Sequence, residues 1–370
     1  MHRSPVRRRN RAIAALAIVT AACTVGASAA SGGAVATPSD AIAFVPTASL
    51  PTLTWRAGKN GSITQQPFAK AVSGQFDDSD GADLFGYNPG GGLDGIIHFD
   101  PSGSDTTLSF EPLPVSGTFN PFVGDFDANG IDDIFWYAPG TAADYVWLFD
   151  AAGNHTTVRK SVGGTYRPLV IDADGDGGDD VIWYAPGATA DAMWLFGAAA
   201  AHTDKAVSIG GSYTTAVGRF GLTAPGAPTE GIVFYSPSAA DTLWVFDSSA
   251  NHTSETLPAV SGDYRLIPGQ FLEETYGSLL YYGPGSLPER LFAFGPGAGP
   301  DISEQEVPNM SGTYTVQAGD FDTNDVSDLA LTSGTKTRIW YFDYDGSITS
   351  AVTGDHPTAS YPVVVGMGPS

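Results

Sequence analysis

A carboxylate-dense turn that runs straight into an aromatic strand recurs along this chain, and no other feature restricts the fold as much. The fullest copy spans Gly124 to Gly140: Asp125, Asp127, Asn129, Asp132 and Asp133 lead into Ile134-Phe135-Trp136-Tyr137 and a Pro-Gly turn. A close copy starts 47 residues later, at Asp172, and ends in Tyr184-Ala185-Pro186-Gly187. Fainter copies place the same strand at Asp83–Tyr87, Gly231–Tyr235, Ser278–Tyr282 and Asp328–Thr332. A second strand follows each of these six, at 95–100, 145–150, 192–197, 242–247, 290–295 and 337–343. A further strand follows an aromatic residue at Phe119, Tyr166, Tyr213, Tyr264, Tyr314 and Tyr361. Units of four short strands at a period near 50 residues are what propeller blades produce.

Another unit lies at the front. Ala41-Ile42-Ala43-Phe44-Val45-Pro46 matches the aromatic strand, and Trp55 falls nine residues past its proline. This unit lacks a preceding loop and inner strand, while Tyr361 to Val365 is a strand with no unit of its own. Pairing the two ends closes a ring and removes both exposed edges. The expectation is all-β: one seven-bladed β-propeller of four-stranded blades over residues 41–366, closed by its N- and C-terminal strands. The alternative is six blades plus an N-terminal arm. Abundant Gly (46) and Pro (26) suit short strands and tight turns, and no stretch after residue 36 keeps a helical apolar period.

Residues 1–36 read as an export signal. Arg3, Arg7, Arg8, Arg9 and Arg11 precede the apolar run Ala12 to Val25, and small-residue cleavage sites follow at Ala27-Ser28-Ala29 and Ala34-Val35-Ala36. A secreted protein is expected, with no membrane span. Thr20-Ala21-Ala22-Cys23 resembles a lipoprotein cleavage box, so the alternative is a lipid-anchored surface protein. Cys23 is the only cysteine, which leaves the exported chain without a disulfide and makes metal the candidate staple. Loss of the leader takes away five of 17 basic residues and none of the 40 acids, for a formal charge of 12 − 40 = −28. Nucleic acid is a poor partner for such a surface.

Seventeen of those acids fall in four short turns, at 77–83, 125–133, 172–180 and 320–328. Hard cations need several oxygens converging on a small sphere, and a tight loop with oxygens at alternate positions supplies them. Positions one, three, five and nine are Asp125, Asp127, Asn129 and Asp133 in one loop, with the carbonyl of Ile131 at position seven. The second loop offers Asp172, Asp174, Asp176 and Asp180 with the carbonyl of Gly178; the third offers Asp320, Asp322, Asn324 and Asp328 with that of Val326. Calcium at about three sites is expected. An EF-hand is excluded, because its twelfth position holds Trp136, Trp183 and Leu331 where a bidentate Glu is required.

The remaining loops have drifted. Gln75, Asp77, Ser79 and Asp83 make a weaker fourth site; Gln270, Leu272, Glu274 and Ser278 should hold no metal; and Arg219 takes position one of a loop with three extra residues. Recurrence explains His155, His202 and His252, expected at one equivalent turn in successive blades. It also explains all seven tryptophans (55, 136, 147, 183, 194, 244 and 340), expected in blade-to-blade packing.

The runs Val123-Gly124-Asp125-Phe126-Asp127 and Asp132-Asp133-Ile134, with their copies at 172–181 and 318–329, resemble the FG-GAP/VCBS repeats also found in integrin α-subunit heads. The Tyr-Ala-Pro-Gly runs look like a bacterial secreted branch. The resemblance covers roughly residues 41 to 366 and implies a calcium-binding propeller associated with adhesion and with carbohydrate or protein recognition. Two functional classes follow. The first is a non-enzymatic binding module, expected to be a monomer, for an extracellular glycan or protein. The second is a polysaccharide lyase or hydrolase using a propeller face. No G-x-S-x-G or H-E-x-x-H motif is present. The non-repeated polar residues Arg56, Lys59, Glu289, Arg290, Arg338 and His356 are where catalysis would be sought, although each reads as solvated surface.

Overall fold

The computed structural model describes residues 40–46, 52–56, 59–63, 68–79, 81–99, 108–187, 189–222, 228–272, 276–295, 301–352, 356 and 360–365. The leader and Cys23 lie outside them, as do the side chains of Arg56 and Lys59. The strands form seven four-stranded antiparallel sheets. Six use a continuous run of chain: blade II (70–112), blade III (120–160), blade IV (167–205), blade V (214–256), blade VI (265–305) and blade VII (315–352). Blade I is built from both ends, with Ser360–Val365 innermost, then Ala41–Pro46, Thr52–Arg56 and Lys59–Ile63. Its seam runs in register from Ala41 opposite Val365 to Pro46 opposite Ser360.

Each blade begins with the strand just before its acidic loop, so the strand that sequence order places last in one unit is the innermost strand of the next. Innermost strands touch their neighbours around the ring, from Lys70–Gly74 to Asn120–Gly124 and from Thr315–Gly319 through Ser360–Val365 back to Lys70–Gly74. This closure makes the architecture a β-propeller. Among the described residues there is no α-helix, only a single 3-10 turn at Ala198–Ala200. No helix is long and apolar enough to cross a membrane.

The core lies between blades. The second strand of a blade has neighbours on both faces and reads as unbroken apolar chain, as in Asp133–Tyr137 and Asp180–Tyr184, every residue of which is buried. Each apolar cluster joins facing sides of adjacent blades: Phe85, Tyr87 and Ile96 of blade II pack with Trp136, Trp147 and Phe149 of blade III. The rings meet edge to face, Phe85–Trp136 at 5.3 Å and Trp136–Trp147 at 5.1 Å between centroids, the arrangement favoured by the aromatic quadrupole. One cluster spans blades VII, I and II and includes Phe44, Phe68, Ile339 and Phe321.

Two expectations change here. The extra residues of blade V do not form a loop beginning at Arg219. They lengthen the inner hairpin to Thr214–Leu222 and Pro228–Tyr235, with Gly221 opposite Thr229 and a register shift after Gly218, so Arg219 lies within a strand. His155, His202 and His252 are not turn residues. They sit on the outermost strands, and each stacks on a tryptophan of the neighbouring strand (Trp147, Trp194, Trp244) at 4.0, 3.9 and 3.7 Å.

Candidate metal centres

The acidic loops of blades II, III and VII leave their inner strands through the pattern Gly-x-Phe, whereas that of blade IV leaves through Ile171-Asp172-Ala173. A side chain on Gly124 would lie 3.0 Å from the Phe126 ring and 3.0 Å from the Asp179 carboxylate, so glycine is required by close approach. The phenylalanine folds under the loop and is fully buried. The loop then curls through two left-handed residues. Position six is Gly130, Gly177 or Asp325 (φ 89°, 99° and 61°), and position four is Ala128, Gly175 or Thr323 (φ 58°, 75° and 70°). Asp tolerates this region, whereas a β-branched Thr is strained there, and such strain persists only where the surroundings impose it.

The curl brings together the carboxylates the spacing selected. Oxygens of Asp125, Asp127 and Asp133 lie within 4.8 Å of one another, as do those of Asp320, Asp322 and Asp328. Asp133 is buried between the amides of Phe126 and Phe149, both donating to it at 2.9 Å. Asp125 accepts from the amides of Asn129 and Gly130. Asn129 is a brace: its oxygen accepts from the Ile131 amide at 2.6 Å and its nitrogen donates to the Phe149 carbonyl at 2.8 Å. Asn324 does the same between the Val326 amide and the Phe342 carbonyl. Asp328 repeats the role of Asp133, accepting from Phe321 and Phe342. In both loops the third-position carboxylate keeps one oxygen, Oδ1 of Asp127 and of Asp322, buried and without a hydrogen-bond partner. Burying such an atom unpaired is costly.

The electrostatics point the same way. Burial, followed by the charges of Asp127 and Asp125, pushes the Asp133 carboxyl up to about 9. Burial and then Asp322 do the same to Asp328, also to about 9. Burial and Asp320 raise Asp322 to about 6. Three carboxylates this close resist joint ionisation unless a cation joins them.

The middle loop differs in detail. The oxygens that converge belong to Asp172, Asp174 and Asp176. Asp180 accepts from the amides of Ala173 and Phe196, and burial raises it to about 7. An ionised Asp at position five has no donor for a strand carbonyl, so Asp176 cannot brace the loop as Asn129 does. It is exposed, and keeps only the accepted half of that brace, from the Gly178 amide at 2.8 Å.

In blade II the grouping is Asp77, Asp83 and His98. His98 Nδ1 lies 3.0 Å from Asp83 and 3.9 Å from Asp77, and Nε2 is 3.5 Å from Glu111. The hydrogen bond that His98 donates to the Asp83 carboxylate raises the imidazole to about 8. This loop carries its own cation.

The catalytic candidates do not assemble. Glu289 is buried, not solvated, and accepts from the Met310 amide. Buried His356 stacks on Phe44 at 3.6 Å in the seam between the chain ends. Arg290 makes a two-pronged pair with Glu304 at 2.6 and 2.7 Å. Glu289 is also a repeat position: Asp94, Asp144, Asp191 and Asp241 occupy it in blades II to V, tying the end of the aromatic strand to a later segment. Asp144, for example, accepts from Ala138 at 2.7 Å and Val162 at 2.7 Å. An acid six or seven residues past the strand's last tyrosine marks the series in the sequence.

No protein-family model matches the chain, and no curated protein matches it. Solved structures do. A lectin from Agrocybe aegerita, described as recognising non-reducing terminal N-acetylglucosamine, superposes with a TM-score of 0.66 at 11% identity, over 90% of this chain and 96% of its own. A protein from Lactobacillus plantarum superposes with a TM-score of 0.54 at 12% identity, over 88% of this chain and 99% of its own. At these identities the likeness is one of fold.

Proposed function

We propose that this protein is an exported carbohydrate-binding propeller without catalytic activity, held together by calcium in the loops of blades III, IV and VII. The unpartnered, buried oxygens of Asp127 and Asp322 carry the calcium part of this reading. Each sits among two further carboxylates, and a hard cation coordinated by oxygen is the partner that suits them. Asp125, Asp127 and Asp133 would hold one ion, Asp320, Asp322 and Asp328 another, and Asp172, Asp174 and Asp176 a third. At a calcium excess of a hundredfold over the dissociation constant, each ion stabilises the fold by about 2.7 kcal/mol.

The carbohydrate part is supported by the shared architecture with a lectin over nearly the whole chain. The structural partners of Glu289, Arg290 and His356, three of the places where catalysis would be sought, favour the non-catalytic side of the reading. A glycan array probed with calcium and with chelator tests it, with glycans ending in N-acetylglucosamine included first. Retention of a defined glycan class in calcium, and no new reducing ends or unsaturated products from a polysaccharide panel, is expected. An array blank under both conditions would overturn the carbohydrate assignment, and product release would move the protein to the lyase or hydrolase class.

A further inference from the structure

The candidate ion loops are held from outside, by the next blade. The amide at position one of a loop donates to the side chain at position eight of the following blade: Asp125 to Asp179 at 2.8 Å, Asp172 to Glu230 at 2.9 Å and Asp320 to Asp40 at 2.9 Å. The amides of Asp179 and Asp40 return the bond to the carbonyls of Asp125 and Asp320, both at 2.7 Å. The drifted loops show the same joint with other chemistry. Ser327 Oγ accepts from Gln270 at 2.8 Å, and at Arg219 the residue is Gly277, which has no side chain. Blade II, which keeps two of its acids, retains a carboxylate there, Asp132, accepting from Gln75.

Ser327 shows that a neutral hydroxyl makes this bond at the same length as a carboxylate does. The charge is therefore not needed for the joint. Asp179 and Asp40 are both buried at the joint. Carboxylates stand at this position beside every loop that has an acid at position one, and a neutral residue stands there beside the two loops that have lost most of theirs.

We propose that Asp179, Glu230 and Asp40 are positioning residues for the ions of the preceding blade. Each fixes the backbone of the first ligand and adds negative charge from beyond the coordination sphere. The inference rests on the calcium reading. Through Asp40, the residue directly before the strand Ala41–Pro46, the ion of blade VII is coupled to the seam that closes the ring.

Calcium titration calorimetry on Asp179→Asn and Asp179→Ser, with melting curves in calcium and in chelator, tests this. Loss of such an outer partner typically weakens a metal site by about 10–100-fold. One of three sites should weaken by about tenfold or more while two are unchanged, and the melting temperature should fall in calcium but not in chelator. Asp179→Asn added to Asp127→Asn should weaken nothing further, because both act on one site. Three sites within twofold of wild type would overturn the inference, as would an equal loss of melting temperature with and without calcium. If Asp179→Asn does not fold, Glu230→Gln gives the same reading at the Asp172 loop. A wild-type chain that takes up no ion overturns the calcium reading and this inference together, whereas intact sites in the variants overturn the inference alone.

Discussion

Blades II and III share a strand plan, a loop length and a Gly-x-Phe exit, yet they neutralise their buried acids differently. In blade III, Asp125, Asp127 and Asp133 converge in a group that contains no histidine, and Oδ1 of Asp127 is left unpartnered. In blade II, position one is Gln75, which bonds within its own loop to the Ser79 carbonyl at 2.8 Å, and His98 reaches in from the neighbouring strand. Position 98 in blade II corresponds to Leu148 in blade III, in each case just before the phenylalanine whose amide caps the ninth-position carboxylate. On the proposed reading, Gln75 in place of Asp125 and His98 in place of Leu148 would exchange an external cation for an internal one within the same strand plan. The loop's backbone geometry belongs to the propeller; any capacity to hold an ion belongs to the side chains.

Removing calcium is the strongest way to break that comparison. Three ions at about 2.7 kcal/mol each give about 8 kcal/mol, so excess chelator should lower the melting temperature by on the order of 10–20 °C. The pH dependence should also reverse. Asp133 and Asp328 are raised to about 9 in the ion-free fold, Asp180 to about 7 and Asp322 to about 6, while in the unfolded chain they ionise near 3.8. A raised carboxyl favours the folded state while protonated, so chelated protein should lose stability as pH rises from about 4 through about 9. In calcium, protons compete with the ion, and stability should rise over the acidic half of that range. Melting curves at several pH values, with and without chelator, read both signs. Identical slopes would remove the ion from the argument.

A smaller effect sharpens the contrast at one residue. Asp127→Asn removes a ligand charge and should cost about 2–3 kcal/mol in calcium, the contribution of one site. The same change relieves repulsion in the ion-free loop, so in chelator the variant should melt at or above wild type. Asp77→Asn in blade II should show neither response. Denaturant titrations of the two variants under both conditions decide this. Smallest is the change in blade II itself. His98 is raised to about 8, so its stabilisation is complete below about 6.5 and disappears as pH rises through 8. His98→Gln should cost about 1 kcal/mol at pH 6 and little at pH 9, with no dependence on calcium.

Much of this was legible in the chain because the repeat is local. Asp83–Tyr87, Asp133–Tyr137, Asp180–Tyr184 and Ser278–Tyr282 begin and end where the alternation of turn and aromatic run places them. The converging acids followed from spacing within nine residues. What acts between blades was not legible. Asp179 meets Asp125 across a junction whose partners lie in different units, and no local pattern links them. The strained Thr323 has no counterpart in turn propensity, which favours Gly or Asn there. The acids at Asp144 and Asp191 were visible as a period but were masked by the more conspicuous tyrosine and Pro-Gly beside them. His356 looked like surface because its partner, Phe44, comes from the opposite end of the chain.

That joint between the two ends has a kinetic consequence. Six sheets can form from consecutive segments, but blade I waits for Ser360–Val365, made long after Ala41–Pro46. Until it arrives, Ala41–Pro46 presents an open apolar edge, the kind of template that recruits other chains. Truncation by a dozen residues at the C-terminus should therefore be far more damaging than loss of a comparable length from any surface turn. A circular permutant that joins Val365 to Ala41 through a linker and opens a turn on the opposite side would shift the vulnerable blade to the new termini.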